Sequence, residues 1–344
     1  MAKKLKINLA LQGGGAHGAF TWGVLDRLLQ EEDIEISGIS GTSAGALNGA
    51  ALKSGWVMNG REGARENLAW LWEQVAGTSD FGMTQWMAPF GVGAISQALE
   101  YSPGVLFSDA VSSMTSPYSY GPFYRNPLTD IVQKLDYDRV CNGVDPRLYI
   151  CATRVRNGKI KVFSGDEISA EAIMASACLP TVFKAIELHD PETGRLEAFW
   201  DGGFTGNPAL FPLYDTDLPD DVVIININPL ERDSLPVTPK QIQNRINEIS
   251  FNSSLLRELR AIDFVQRLLD EGALSEGRMS RVRVHMIADD ELMAQLSVAT
   301  KLVPNPTVIG ALKDAGMNAA EKFLAAHKDK LGKQSSVDLR QMFG

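Results

Sequence analysis

Histidine and cysteine are scarce: the 344-residue chain holds four histidines and three cysteines. Cys141, Cys151 and Cys178 form no Cys-x-x-Cys pair and no even set. That excludes a zinc ribbon and a disulfide framework, and it predicts reduced thiols in the core. There is no HExxH helix, EF-hand loop or Cys/His cluster, so no metal and no other cofactor is expected. Basic residues are also in deficit. The 33 Lys and Arg face 42 Asp and Glu, giving a net charge of −9 and a pI near 5.1. That balance argues against nucleic acid as a partner and against strong binding to anionic membranes. No stretch reaches the ~18 consecutive apolar residues of a membrane span. The opening MAKKLKINLALQGGG has a basic start and a short apolar run, but it leads into glycines rather than a small-residue cleavage site. It reads as a first strand, and a cytoplasmic protein is expected. With 44% hydrophobic and 22% charged residues the composition is globular, and the length suits two domains or one large α/β domain with insertions.

What is present is a strand–turn–helix rhythm. Ile7 to Leu11 form an apolar strand that ends at Gln12 and the run Gly13-Gly14-Gly15. A helical period follows, with Phe20, Val24, Leu25 and Leu28 on one stripe. A second strand, Ile34 to Ser40, ends in Gly41-Thr42-Ser43-Ala44-Gly45 before a helix of small residues. Repeated strand, glycine turn and helix open a parallel sheet covered on both faces, a three-layer α/β/α arrangement. Residues 81–127 break the rhythm with prolines and the aromatics Trp86, Phe90, Tyr101, Phe107, Tyr118, Tyr120, Phe123 and Tyr124. Such a stretch reads as an insertion with short helices rather than a linker. Strands resume at 147–153 and 160–163 around the turn Arg156-Asn157-Gly158, and Val222 to Ile227 is apolar throughout, as for a buried parallel strand. Beyond it come an amphipathic helix with Ile242, Ile246, Ile249, Leu256, Leu259, Ile262 and Leu269 on its apolar stripe, a strand at 282–287 and a closing helix at 306–327.

Gly41-x-Ser43-x-Gly45 lies between a predicted strand and a predicted helix, where a sharp turn lifts a serine out of the sheet. A helix-capping serine would occupy the same place. A serine nucleophile needs a base. Among the histidines, His189 lies in a polar turn, His327 sits among lysines on the last helix, and His285 alternates with apolar residues in a strand. His17, beside the first glycine turn, is the one histidine placed to serve. The other candidate is Asp201, at the end of the strand Ala198-Phe199-Trp200 and followed by Gly202-Gly203. A carboxylate there can deprotonate a serine within hydrogen-bond reach, although Asp-Gly is also a common turn former. The segment from Gly13 to Gly18 spells GxGxxG, yet the second strand closes without the acid a dinucleotide ribose requires, and no Lys-Ser/Thr follows to make a P-loop. Its third use is an oxyanion hole, with the N–H groups of Gly13, Gly14 and Gly15 facing the nucleophile from the neighbouring strand.

Taken in order, the glycine turn at Gly13 to Gly18, the elbow Gly41-Thr42-Ser43-Ala44-Gly45 and Asp201-Gly202-Gly203 resemble the signatures of patatin-like phospholipases. Ala175-Ser176-Ala177-Cys178-Leu179-Pro180 with Phe183, and Asn207-Pro208-Ala209-Leu210, resemble the blocks on either side of the last motif. The resemblance covers residues 5–230, with residues 231–344 as a helical and strand extension packed on the same domain. It implies an α/β/α fold, a Ser43–Asp201 dyad without histidine, and hydrolysis of lipid acyl esters. The family's glycine turn often carries an arginine where this chain has His17, which leaves a His17-assisted mechanism open. The insertion aromatics Trp86, Met87, Phe90, Tyr118, Tyr120 and Phe123 either form a lid, acyl pocket or peripheral membrane contact, or simply pack the insertion onto the body. A thioesterase or polyester hydrolase would use the same dyad. A dinucleotide-dependent oxidoreductase and a non-catalytic scaffold are the readings from other classes. The head group, acyl length and oligomeric state are not encoded in any motif.

Overall fold

The computed structural model describes residues 4–78, 91–105, 115–233, 235–274 and 279–343. Trp86, Met87, Phe90 and Phe107 lie outside the described residues. The strands are β1 (Leu5–Leu11), β2 (Ile34–Thr42), β3 (Arg147–Arg154), β4 (Ile160–Ser164), β5 (Ile186–Asp190), β6 (Arg195–Asp201), β7 (Asp221–Ile225) and β8 (Arg283–Ile287). They form one mixed sheet in the order β5-β6-β3-β2-β1-β7-β8, with β4 also paired to β3. The centre is parallel, from β3 through β2, β1 and β7 to β8, and the β4, β5 and β6 pairings are antiparallel. Apolar residues on alternate sides of β1 feed two cores. Ile7, Leu9 and Leu11 enter one with Phe20, Leu25, Ala50 and Leu312, while Ala10 enters the other with Val222, Ile224, Leu255 and Leu259. Two cores on opposite faces of one sheet make the three-layer α/β/α architecture.

Helix α1 (Gly18–Leu28) follows the glycine turn and packs against the closing helix Pro306–His327. Gly316 lies so close to α1 that a Cβ there would stand 2.1 Å from the Phe20 carbonyl oxygen. Helix α2 (Ala44–Gly77) follows the elbow and breaks its helical geometry at Asn59 and Gly60. The strand β8, beyond residue 230, pairs with β7 along five residues and completes the sheet.

Three expectations change. The segment holding His189 is the strand β5 rather than a turn, although His189 itself is exposed. The helix Pro239–Asp270 buries Leu259, Ile262 and Leu269, but Ile242, Ile246 and Ile249 are 43%, 53% and 55% exposed. In that first half the inward positions are polar: Glu248 pairs with Arg232 and Asn252 bonds to Gln12, so the apolar stripe faces outward. Cys151 and Cys178 are buried, whereas Cys141 is partly exposed.

Candidate active site

Strand pairing brings Ser43 and Asp201 together. β3 has β4 along one edge; along the other edge β2 occupies the first part and β6 the last. Thr42, the final residue of β2, pairs with Cys151, and Asp201, the final residue of β6, pairs with Ala152 one position further on. The two strand ends therefore meet head on at β3, one carrying the serine and the other the carboxylate.

Ser43 sits between β2 and α2 with φ 54° and ψ −119°, the one positive-φ residue other than glycine among the described residues. Such a conformation is costly for an L side chain and persists only where its surroundings hold it. The surroundings are specific. The Ser43 N–H donates to Ser176 Oγ at 2.9 Å, and Ser176 donates onward to the Cys151 carbonyl at 2.6 Å. Gly45 allows the turn to approach β1, since a Cβ there would lie 2.1 Å from the Leu11 carbonyl oxygen. Although Ser43 occupies the cap position of α2, its side chain makes no capping bond. The capping-serine alternative is therefore not realised.

The Asp201 carboxylate accepts the Gly203 N–H at 2.7 Å, which is the turn-forming role, and it also interacts with the Ser43 hydroxyl. Burial pushes the Asp201 carboxyl up to about 7, against the pull of the Gly203 N–H and the Ser43 hydroxyl. A buried carboxylate with no cation beside it behaves this way. Gly202 lets the turn close on the elbow: a Cβ there would fall 2.1 Å from the Cys151 carbonyl oxygen and 2.9 Å from Thr42 Cγ2.

The glycine turn lies against the same point. A Cβ on Gly13 would be 2.7 Å from Ser43 Cβ, which explains the absence of a side chain there. The Gly13 N–H, one of the three expected oxyanion donors, is instead committed to Asn207 Oδ1 at 2.7 Å. The N–H groups of Gly14 and Gly15 make no internal bond among the described residues. Behind the turn three buried amides interlock. Gln12 Oε1 accepts from the Ile227 and Asn228 N–H groups and from Asn228 Nδ2, Gln12 Nε2 donates to Asn252 Oδ1 at 3.1 Å, and Asn228 Nδ2 donates to the Gly13 carbonyl at 2.9 Å. None of this network is marked by a motif. Its only sequence signal is polar residues placed just past apolar strands, Gln12 after β1 and Asn226 and Asn228 after β7.

No histidine bonds to Ser43 among the described residues. Thr300 donates its hydroxyl to the Ser297 carbonyl, so its oxygen accepts from His17 Nε2 at 2.8 Å. Burial, with the Lys301 charge added, holds the His17 imidazole well below its ordinary range and keeps it neutral. Its one ring bond goes to Thr300 rather than to Ser43, which argues against the His17-assisted mechanism. His285 is bonded to Asp221 and Ser336, a satisfied strand histidine, and His327 is partly buried beside Phe323 rather than on the surface.

A sequence profile described as patatin-like phospholipase matches residues 9–214, more than half of the chain and all three glycine motifs. The chain belongs to the patatin-like phospholipase family. As a patatin-like phospholipase it is a lipid acyl hydrolase by membership. Among solved structures it is similar to VipD from Legionella pneumophila, at 16% identity over 95% of this chain and 68% of that one, with a TM-score of 0.41. It is also similar to the heterodimeric ExoU–SpcU complex of the Pseudomonas aeruginosa type III secretion system, at 16% identity over 99% of this chain and 65% of that one, with a TM-score of 0.30. The patatin-like chain thus spans about two thirds of each neighbour. No curated protein matches its sequence significantly.

Proposed function

We propose that this patatin-like phospholipase cleaves lipid acyl esters with Ser43 as nucleophile and Asp201 as general base. The observation that carries the reading is the pairing of an uncapped, strained serine with a buried carboxylate whose proton affinity is raised to the neutral range. The Ser43 oxygen attacks the ester carbonyl while Asp201 takes its proton. The tetrahedral oxyanion lies against the Gly14 and Gly15 N–H groups, Gly13 being already committed. Collapse expels the alcohol, protonated by Asp201, and leaves an acyl-enzyme. Water, deprotonated by Asp201, then attacks the acyl-enzyme, and Asp201 returns that proton to the departing Ser43 oxygen as the fatty acid is released.

A lipidic substrate is favoured by the surface beside the dyad. Phe204, directly after the Asp201 turn, is exposed and packs against Phe251 with the rings tilted and their centroids 5.4 Å apart, and Phe251 covers Gly203. The outward stripe of Ile242, Ile246 and Ile249 lies on the same helix as Phe251, with exposed Leu235 and Val237 before it. Exposed apolar side chains on the helix that packs Phe251 against the Asp201 turn suit peripheral contact with a lipid surface. No helix of the described residues is long and apolar enough to cross a membrane.

The test uses the purified enzyme with p-nitrophenyl butyrate and with phosphatidylcholine vesicles. Ser43→Ala and Asp201→Asn should each lower kcat by roughly 10³-fold or more, and the double variant should lose little further because the two groups act as one unit. Hydrolysis surviving in folded Ser43→Ala would refute the serine mechanism.

A further inference from the structure

Behind the glycine turn stands a half-buried lysine with no carboxylate bonded to it among the described residues. Lys301, on the short helix Val298–Leu302, directs its ammonium inward and donates to Asn228 Oδ1 at 2.8 Å. Asn228 Nδ2 then donates to the Gly13 carbonyl at 2.9 Å, and Asn207 Nδ2 reaches the same oxygen at 3.4 Å. The amide orientation is fixed by chemistry: an ammonium only donates and a carbonyl only accepts, so Asn228 can face them in one way. The Gly13 carbonyl and the Gly14 N–H belong to one peptide unit, and a hydrogen bond received at the carbonyl strengthens the N–H as a donor. The lysine also braces the turn sterically. Gly15 has φ 58°, and a Cβ there would lie 2.3 Å from the Lys301 carbonyl oxygen.

We propose that Lys301 is a positioning residue for ester hydrolysis, acting through the Asn228 amide to fix and polarise the Gly13–Gly14 peptide whose N–H receives the oxyanion. The inference rests on the serine mechanism above. The charged and titratable groups facing the ammonium are Glu248 from the helix Pro239–Asp270, Arg232 from the loop before it and the neutral His17 from the glycine turn. Burial pulls the Lys301 ammonium down to about 8, Glu248 opposing and Arg232 assisting. Wild-type kcat on p-nitrophenyl butyrate should therefore fall as pH rises through about 8, where the lysine loses its charge.

Five variants, with Ser43→Ala as control, are compared on that substrate from pH 5 to 10, with circular dichroism as the folding check. Lys301→Met should lower kcat about tenfold at pH 7.5, leave KM within about twofold, and abolish the alkaline fall. Lys301→Arg should keep its activity at pH 9, where the wild type has fallen about tenfold, because a guanidinium stays charged. Asn228→Ala should lose about as much as Lys301→Met, and Lys301→Met/Asn228→Ala no more than Asn228→Ala alone. Glu248→Gln removes the anion that supports the charge, so it should move the alkaline fall of an otherwise intact relay to lower pH. Wild-type kcat in folded Lys301→Met, with Ser43→Ala inactive, would overturn the relay and leave the serine mechanism standing. Multiplying losses for Lys301 and Asn228 would overturn it too, as would a wild-type profile flat from pH 7.5 to 10, which needs no variant to fold. Hydrolysis by Ser43→Ala would bring down both.

Discussion

At the scale of single residues, the pH dependence of the reaction should be set by Asp201. A base must be ionised to accept the serine proton, and burial has raised this carboxyl to about 7. Activity on a soluble ester should accordingly rise through pH 7, with kcat/KM reporting the free enzyme. Asp201→Asn should remove the activity at every pH rather than shift the profile. A profile already flat at pH 5 would show that Asp201 is not the group that titrates. Ser43 and Asp201 are legible in the sequence because each needs a glycine-flanked turn, and such turns leave a local pattern. Asn207 and Ser176 fall in blocks that the resemblance picks out, but their roles, like that of Asn228, are not legible, because each acts across the fold on a backbone atom far away in the chain. Gly13 shows the limit from the other side. Its pattern is visible, but whether its N–H points to a substrate or to Asn207 depends on a side chain about 200 positions away, within buried-amide chemistry that any Asn, Gln or Ser could supply.

At the scale of elements, the turns and strands near the site follow from local rules, and the helix Pro239–Asp270 does not. The Arg156-Asn157-Gly158 turn sets the β3–β4 hairpin, and the apolar run after residue 221 becomes a central parallel strand. On the long helix, apolar spacing alone cannot tell a core stripe from an outward one. Glu248 and Asn252 decide the matter, since their partners lie inside. Ile246→Asp with Ile249→Asp should therefore leave the fold and the hydrolysis of p-nitrophenyl butyrate within about twofold, while lowering turnover of vesicle lipid by about tenfold. Equal rates on vesicles before and after the change would exclude that face from lipid contact. A crowded turn should behave differently. Gly202→Ala places a methyl group into the Cys151 carbonyl and Thr42, and it should cost more than about 2 kcal/mol by urea unfolding, or unseat Asp201 altogether.

At the scale of the whole molecule, the site draws on both ends of the chain. The family match ends at residue 214, yet Asn228, Asn252 and Lys301 reach the glycine turn from beyond it. β8 and the closing helix cover β7 and α1. The division at residue 230 marks where motifs stop, not where packing does. A chain ending at Leu230 would expose the β7 edge and the apolar side of α1, and should be recovered as aggregate or as an unfolded chain by circular dichroism. A folded, active fragment would instead make residues 231–344 an accessory.

Because Asp201 is delivered by ladder pairing, its position is digital rather than graded. Sliding β6 by one rung along β3 would present Trp200 or Gly202 at the elbow and turn the carboxylate to the opposite face. Length changes should then be tolerated very unequally around this hairpin. An extra residue at the far bend, 191–194, can be absorbed in a loop with every rung intact. One inserted between Trp200 and Asp201 has nowhere to go, and it should silence the enzyme in a single step rather than weaken it by degrees.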